Sequence, residues 1–111
     1  MIDSTLEYLF NLHNRGIKLG LLNIKNFLKE CDNPENHFKS IHIAGTNGKG
    51  STASIIAKIL QSNGFTVGLY TSPHLINFNE RIRVNGVPIS NNEIIHFTKK
   101  HQRYIEKNSI T

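Results

Sequence analysis

A glycine-rich stretch near the middle of the chain carries the residue types that hold phosphate. Gly45, Gly48 and Gly50 alternate with polar residues in the run Gly-Thr-Asn-Gly-Lys-Gly-Ser, which ends at Ser51. Glycines let backbone N–H groups turn toward phosphate oxygens without interference from a Cβ atom. Lys49 adds a mobile positive charge, and the residues that follow have helical spacing, so a helix N-terminus would also favour an anion here. The stretch therefore predicts a phosphate-binding loop.

The loop departs from the common P-loop pattern, which has a glycine five residues before a Gly-Lys-Ser/Thr triplet. Ile43 stands where that first glycine would be, and Gly50 stands where the hydroxyl residue after the lysine would be. Hydroxyls follow one and two positions later, at Ser51 and Thr52. A glycine-rich turn with a solvated lysine is the alternative interpretation, and the pattern alone leaves both open.

Hydrophobic spacing predicts the elements that would position this loop. The predicted helices cover 3–14, 21–30, 51–61 and 91–107, and the predicted strands cover 40–44, 66–70, 81–84 and 87–89. Strand 40–44, the loop, helix 51–61 and strand 66–70 would form a parallel βαβ unit, so an α/β fold is expected. In such a unit both strands end at one edge of the sheet, which would bring Ser72 close to the loop.

Local signals mark the second half of the chain. Asn85-Gly86 between two apolar runs predicts a tight hairpin turn, and Pro88 favours an edge position for the return strand. Ser90 followed three residues later by Glu93 predicts a capping box at the start of the last helix.

Composition excludes several classes of protein. The chain has 111 residues, of which 38% are hydrophobic and 19% charged, so it can form a core. No apolar run approaches the ~20 residues of a membrane span, and no signal peptide is visible. The single cysteine, Cys31, cannot form an intrachain disulfide, which fits a cytoplasmic location. The net charge of +5 would attract anions of any kind.

Three segments in order resemble the folylpolyglutamate synthase and dihydrofolate synthase family of the Mur ligase superfamily. The first is Ile17-Lys18-Leu19-Gly20-Leu21, and the second is the glycine-rich loop. The third runs from Gly68 through Tyr70-Thr71-Ser72-Pro73-His74-Leu75 to Phe78, Glu80-Arg81-Ile82 and Asn85-Gly86. The resemblance implies the N-terminal part of a P-loop ATPase domain, with two opening helices, a βαβ unit, a hairpin and a final helix.

The resemblance also implies a reaction and a set of site residues. The γ-phosphate of ATP activates a folate or pteroate carboxylate as an acyl phosphate, and the amine of L-glutamate then forms the amide. The implied ligands are ATP, Mg²⁺, L-glutamate and either a reduced folate or dihydropteroate. The implied phosphate-binding residues are Thr46, Asn47, Gly48, Lys49, Gly50 and Ser51, the implied magnesium ligand is Ser72, and the implied substrate-binding residues are Gly16, Ile17, Lys18 and Leu19. No catalytic residue is assigned.

Two positions limit these implications. Some bifunctional relatives have an acidic residue where Lys18 stands, which favours folate elongation over dihydropteroate use. His74 is expected either to order its loop or to touch ligand, and Glu80 and Arg81 are expected to form an ion pair.

Length is the main departure from the family pattern. Residues 1–111 would form an incomplete N-terminal ATP-binding domain without the C-terminal ligase domain, and the chain alone is expected to be inactive. A separately encoded C-terminal part is a candidate partner. A non-enzymatic or decayed nucleotide-binding module is the alternative function. A nucleic-acid-binding fragment is a weaker third interpretation, and neither nucleic acid nor membrane is an expected partner.

Overall fold

The computed structural model describes residues 1–16 and 20–110. Within these residues the helices are α1 (Ile2–Asn11), α2 (Leu22–Glu30), α3 (Lys49–Ser62) and α4 (Asn91–Lys107), and the strands are β1 (Gly68–Tyr70), β2 (Ile82–Val84) and β3 (Val87–Pro88). Short 3-10 helices cover Leu12–Arg15, Pro34–His37 and Phe78–Arg81. The chain divides into two compact units, one made of Met1–Ile41 and the chain from Ile95 onward, the other of His42–Ile94.

An aromatic cluster forms the centre of the first unit. The Phe27 ring of α2 lies 5.4 Å from the His101 ring and 5.3 Å from the Tyr104 ring, centroid to centroid, and both partners belong to α4. Thr98, His101 and Ile105 are buried, because positions three and four apart lie on one face of a helix. Tilted and edge-on ring contacts of this kind stabilise the packing of α2 on α4.

A carboxylate joins the two ends of the first unit. Glu106 near the end of α4 accepts hydrogen bonds from the Tyr8 hydroxyl at 2.8 Å and from the Arg15 guanidinium at 2.7 and 2.8 Å. The Arg15 hydrogen bond holds the pKa of the Glu106 carboxyl below its usual range. Burial and the contact with Glu106 raise the pKa of Tyr8 to about 12. The network fastens the first helical segment to α4.

The second unit is a three-stranded antiparallel sheet with α3 beside it. The strand order is β1-β2-β3, Leu69 of β1 lies opposite Arg83, and Val84 lies opposite Val87. Helix α3 packs against β1, and side chains such as Ala57 and Leu69 line the crevice between them. Strand β1 thus lies against α3, and the chain leaves the strand after Tyr70.

The hairpin confirms the prediction from Asn85-Gly86. Both residues have positive φ, 51° and 82°, as a type I′ turn requires. The Asn85 side-chain oxygen accepts a hydrogen bond from the Val67 N–H at 2.8 Å, and the Asn85 N–H donates to the Val67 carbonyl at 2.8 Å. Pro88 lies on an edge strand, as predicted. The turn is therefore anchored to the residue just before β1.

The predicted strand over 40–44 and the parallel βαβ unit are wrong. Residues 41–45 form neither helix nor strand, and within the described residues every strand pairing is antiparallel. Ile41 and Ile43 favour extended backbone, but a strand needs a neighbour that supplies a hydrogen-bonding ladder. The described part of the chain supplies no such neighbour for this segment, so β-propensity there does not become a sheet.

Candidate functional site

The glycine-rich loop lies in the second unit and leads directly into α3. Helix α3 begins at Lys49, two residues earlier than its spacing predicts, with Gly48 as the N-cap residue. Gly48 has φ 74° and ψ 3°, the left-handed conformation that most residues avoid. A Cβ atom at Gly48 would have nothing within 4 Å, so glycine is needed there for its backbone conformation and not for space.

Unpaired backbone donors lie at the start of α3. The first intrahelical bond runs from the Thr52 N–H to the Gly48 carbonyl at 2.9 Å, so the amides that precede Thr52 in the first turn have no intrahelical acceptor. No acidic residue lies in this turn, and residues 46–51 are exposed. The helix dipole and the Lys49 ammonium therefore give this end of α3 a positive potential that would favour an anion.

Ser72 lies two residues beyond the end of β1 and is exposed. The backbone just before it is held in place, because the Thr71 N–H donates to the Arg81 carbonyl at 2.9 Å. The Ser72–Pro73 peptide is cis. Ser72 was expected near the loop because parallel strands over 40–44 and 66–70 would both end at the same edge of a sheet. Since 40–44 is not a strand, that reason no longer applies, and the magnesium assignment of Ser72 stays a prediction.

Glu80 and Arg81 do not form the predicted ion pair with each other. The Glu80 carboxylate accepts three consecutive backbone N–H groups, those of Leu75 at 2.9 Å, Ile76 at 3.1 Å and Asn77 at 2.8 Å. These bonds, that of Asn77 most strongly, hold the pKa of the Glu80 carboxyl below its usual range. Backbone amides close in sequence satisfy this carboxylate in place of the neighbouring guanidinium.

Arg81 instead holds His74. Its Nε–H donates to His74 Nδ1 at 2.9 Å, and its guanidinium carbon lies 5.3 Å from the centre of the Phe78 ring. His74 Nδ1 is thus an acceptor, which leaves Nε2 as the protonated nitrogen of the neutral ring. Of the two roles expected for His74, ordering its loop is the one these contacts support. The signal for this folded segment was the spacing Asn77-x-x-Glu80, a capping box whose two hydrogen bonds are both present.

The predicted substrate segment lies mostly outside the described residues, which exclude Ile17, Lys18 and Leu19. Gly16 is exposed, has φ 100° and directly follows Arg15, whose guanidinium is held by Glu106. Its substrate-binding role stays a prediction.

The described residues contain neither a metal-binding cluster nor a membrane-spanning helix. Among residues 1–16 and 20–110, no three His, Cys, Asp or Glu side chains come together as a metal-binding group. No helix in the same part of the chain has the length and apolarity to span a bilayer.

Comparison with known proteins gives long and consistent matches. No family model matches the chain. It is 44% identical over 98 residues to the dihydrofolate synthase/folylpolyglutamate synthase of Bacillus subtilis, a match that covers 86% of this chain and 23% of that protein. It is 45% identical over 73 residues to the folylpolyglutamate synthase of Lacticaseibacillus casei, covering 66% of this chain and 17% of that protein.

Solved structures agree. The folylpolyglutamate synthase of Thermotoga maritima superposes with a TM-score of 0.82 at 40% identity, covering 95% of this chain and 25% of that one. A folylpolyglutamate synthase complex with AMPPCP and folate superposes with a TM-score of 0.77 at 34% identity, over 97% of this chain and 27% of that one. The chain thus spans about a quarter of the length of the relatives it matches.

Proposed function

We propose that this chain, which belongs to the folylpolyglutamate synthase/dihydrofolate synthase family, is the ATP-binding N-terminal part of a ligase that adds L-glutamate to a folate. The glycine-rich loop at the start of α3 is the observation that carries the proposal. Residues 1–111 make up part of the P-loop ATPase domain, and the ligase domain belongs to the length that the chain does not span.

Different residues of the loop contribute different contacts to the ATP phosphates. The backbone N–H groups of Gly48, Gly50 and Ser51 lie at the positive end of the α3 dipole and donate to the phosphate oxygens. The Lys49 ammonium binds the outer phosphates. Thr46 and Asn47 complete the cradle. The AMPPCP complex of a relative supports nucleotide binding in the family, because that ligand is an ATP analogue with a methylene bridge in its phosphate chain.

Ser72 is the proposed magnesium ligand. Mg²⁺ prefers oxygen donors and usually keeps only one or two protein ligands beside phosphates and water. An exposed hydroxyl that follows a strand end fits that donor set, and the absence of a carboxylate cluster among the described residues does not conflict with it. When bound, the ion would neutralise charge on the phosphate oxygens.

In the proposed reaction, this part of the protein positions ATP and stabilises negative charge on its phosphates. A carboxylate oxygen of the folate forms a bond to the γ-phosphorus as the bond to the β–γ bridging oxygen breaks, giving an acyl phosphate and ADP. The amine of glutamate then attacks the acyl carbon, and phosphate leaves. Loop donors that stabilise negative charge at the γ-phosphate assist the first step. Gly16, Ile17, Lys18 and Leu19 are the proposed folate contacts, and Lys18 favours a reduced folate over dihydropteroate.

A nucleotide-binding module without ligase activity is the second candidate. Only four of the described residues, Ile94, Thr98, His101 and Ile105, are buried, which is a small core for a chain of this length. Glutamate-dependent release of ADP would separate the ligase from the module, since both bind ATP.

Calorimetric titration of ATP and Mg²⁺ into the chain tests the role of the loop. Lys49→Ala should weaken binding by about 1–3 kcal/mol, the scale of a charge-assisted hydrogen bond. Lys58→Ala is the matched control, because it removes an exposed lysine from the same helix away from the loop. Equal affinity of the wild type and Lys49→Ala, or an equal loss in Lys58→Ala, would remove the assignment.

A further inference from the structure

The side of helix α4 that points away from its buried residues is basic. The four buried residues of the described chain all belong to α4 and share one side of it, because they are three or four positions apart. The positions two residues after each of them lie about 200° around the helix, on the opposite side. Those positions are exposed and define the basic face, which consists of His96, Lys100, Arg103 and Lys107.

The acidic residues of α4 do not neutralise this face. Glu93 caps the start of the helix. Glu106 accepts hydrogen bonds from the Tyr8 hydroxyl and the Arg15 guanidinium. Among the residues that the structure describes, no member of the basic face forms an ion pair, and Lys99 adds another exposed cation beside it. The face therefore presents uncompensated positive charge to solvent.

Helix stability does not explain this arrangement. A solvated helix commonly alternates positive and negative residues, because opposite charges four positions apart stabilise it. In α4 that spacing instead joins Lys99 to Arg103 and Arg103 to Lys107, and like charges at this spacing are unfavourable. A concentration of one sign of charge on an exposed face favours the binding of an anion.

The shape of the face favours a linear anion with several charges. From Lys100 to Lys107 the helix rises about 10 Å, with cations along that line. Single-stranded nucleic acid is one linear polyanion, but its bases stack on aromatic side chains. Phe97 and Tyr104 of α4 instead lie toward Phe27 of α2, with ring centroids 6.5 and 5.3 Å from its ring. A face of cations without Phe, Tyr or Trp fits a chain of carboxylates better than a chain of nucleotides.

We propose that the basic face of α4 binds the γ-linked oligoglutamate tail of the folate product. This inference rests on the proposed function. Each addition of L-glutamate turns one carboxylate of the folate into an amide and brings two new carboxylates, so the tail gains one negative charge per cycle. A longer tail meets more of the cations along α4, and the affinity of the face should therefore rise with tail length.

Titration of the 111-residue chain with γ-linked pentaglutamate, which contains no pteridine, tests the proposal. Amide NMR at low salt should show shifts on residues 96–107 of α4. Pentaglutamate should bind at least about tenfold more tightly than glutamate itself, because several exposed charge pairs contribute. Its affinity should fall as salt is added, since exposed charges are screened.

Lys100→Gln/Arg103→Gln/Lys107→Gln should weaken pentaglutamate binding about tenfold. Lys100→Arg/Arg103→Lys/Lys107→Arg keeps every charge and should change the affinity less than about twofold. The second variant separates a loss of charge from a loss of folded structure.

The matched control is Lys25→Gln/Lys29→Gln/Lys39→Gln, which removes the same charge from exposed lysines outside α4 and should change the affinity less than about twofold. Equal losses in the two glutamine variants, an equal loss in the charge-conserving variant, or equal affinity for glutamate and pentaglutamate would each overturn the proposal. Tighter binding of a single-stranded oligothymidylate than of pentaglutamate would overturn it in favour of nucleic acid. ATP binding and its loss in Lys49→Ala report the proposed function separately, because pentaglutamate contains no nucleotide.

Discussion

At the scale of single residues, Glu80 fixes the backbone that follows Ser72. Its carboxylate accepts the N–H groups of residues 75, 76 and 77, while the side chains of Leu75 and Ile76 remain 92% and 82% exposed. The segment is thus ordered by hydrogen bonds to one side chain and not by apolar packing. Its order should depend on the charge of that side chain.

The order of this segment should depend on pH. Hydrogen bonds depress the folded-state pKa of Glu80 below the unfolded value of about 4.3, so their contribution is complete above that value. It is lost as the pH falls through the lowered folded-state pKa. The amide resonances of residues 75–77 should therefore hold their positions above the unfolded-state pKa of a glutamate and move together as the pH falls well below it. Glu80→Gln should abolish that transition and Glu7→Gln should keep it; an unchanged transition in Glu80→Gln would contradict the assignment.

Residue types predicted this region only in part. A capping-box spacing from Asn77 to Glu80 can be found in the sequence but was not among the predictions, and ordering its own loop was one of the two roles expected for His74. The ion pair expected between Glu80 and Arg81 was wrong, because adjacent residues of a 3-10 turn point apart while amides a few positions away lie within reach. Sequence gives charge and spacing, whereas the donors that a carboxylate such as Glu80 accepts depend on the folded geometry.

At the scale of elements, the helices followed their sequence signals more closely than the strands. Helix α4 has the predicted bounds of 91–107, because an amphipathic stripe and a capping box both mark it. Helix 3–14 instead ends at Asn11 and continues as a 3-10 turn to Arg15. The failed strand over 40–44 shows the difference, since a helix satisfies its own backbone and a strand requires a partner elsewhere.

The start of α4 gives a prediction at this scale. The Ser90 hydroxyl accepts the Glu93 N–H at 3.1 Å, and the Glu93 carboxylate accepts the Ser90 N–H at 3.3 Å, which confirms the predicted capping box. Ser90→Ala should cost about 1 kcal/mol and lower the melting temperature by about 4 °C. Asn92→Ala, in the same turn but outside the box, should have a smaller effect in the same thermal scan. Equal losses would mean that the box contributes nothing.

At the scale of the whole molecule, the chain exposes much apolar surface and spans only part of the length of its relatives. Large apolar side chains such as Ile55, Phe65 and Tyr70 are more than half exposed, and the chain spans about a quarter of the enzymes it matches. Sequence motifs identified the family, whereas the pairing of strands depends on contacts between segments that are distant in the sequence. The resemblance therefore gave the family correctly, while the parallel βαβ unit that it implied was wrong.

The isolated chain should not catalyse ligation. ATP, folate and glutamate must be held together, and orientation supplies much of the acceleration. Purified chain incubated with ATP, Mg²⁺, a reduced folate or dihydropteroate, and labelled glutamate should give no labelled folate above the Lys49→Ala control. Labelled product above that control would show that the remaining length is dispensable.

The most direct test of the central claim is an amide NMR titration of the isolated chain with ATP and Mg²⁺. The account predicts saturable shifts that concentrate on residues 46–51, extend to Ser72 and weaken in Lys49→Ala. Unchanged spectra at high ATP, or shifts confined to residues of the first unit, would contradict the claim that the glycine-rich loop binds the nucleotide phosphates.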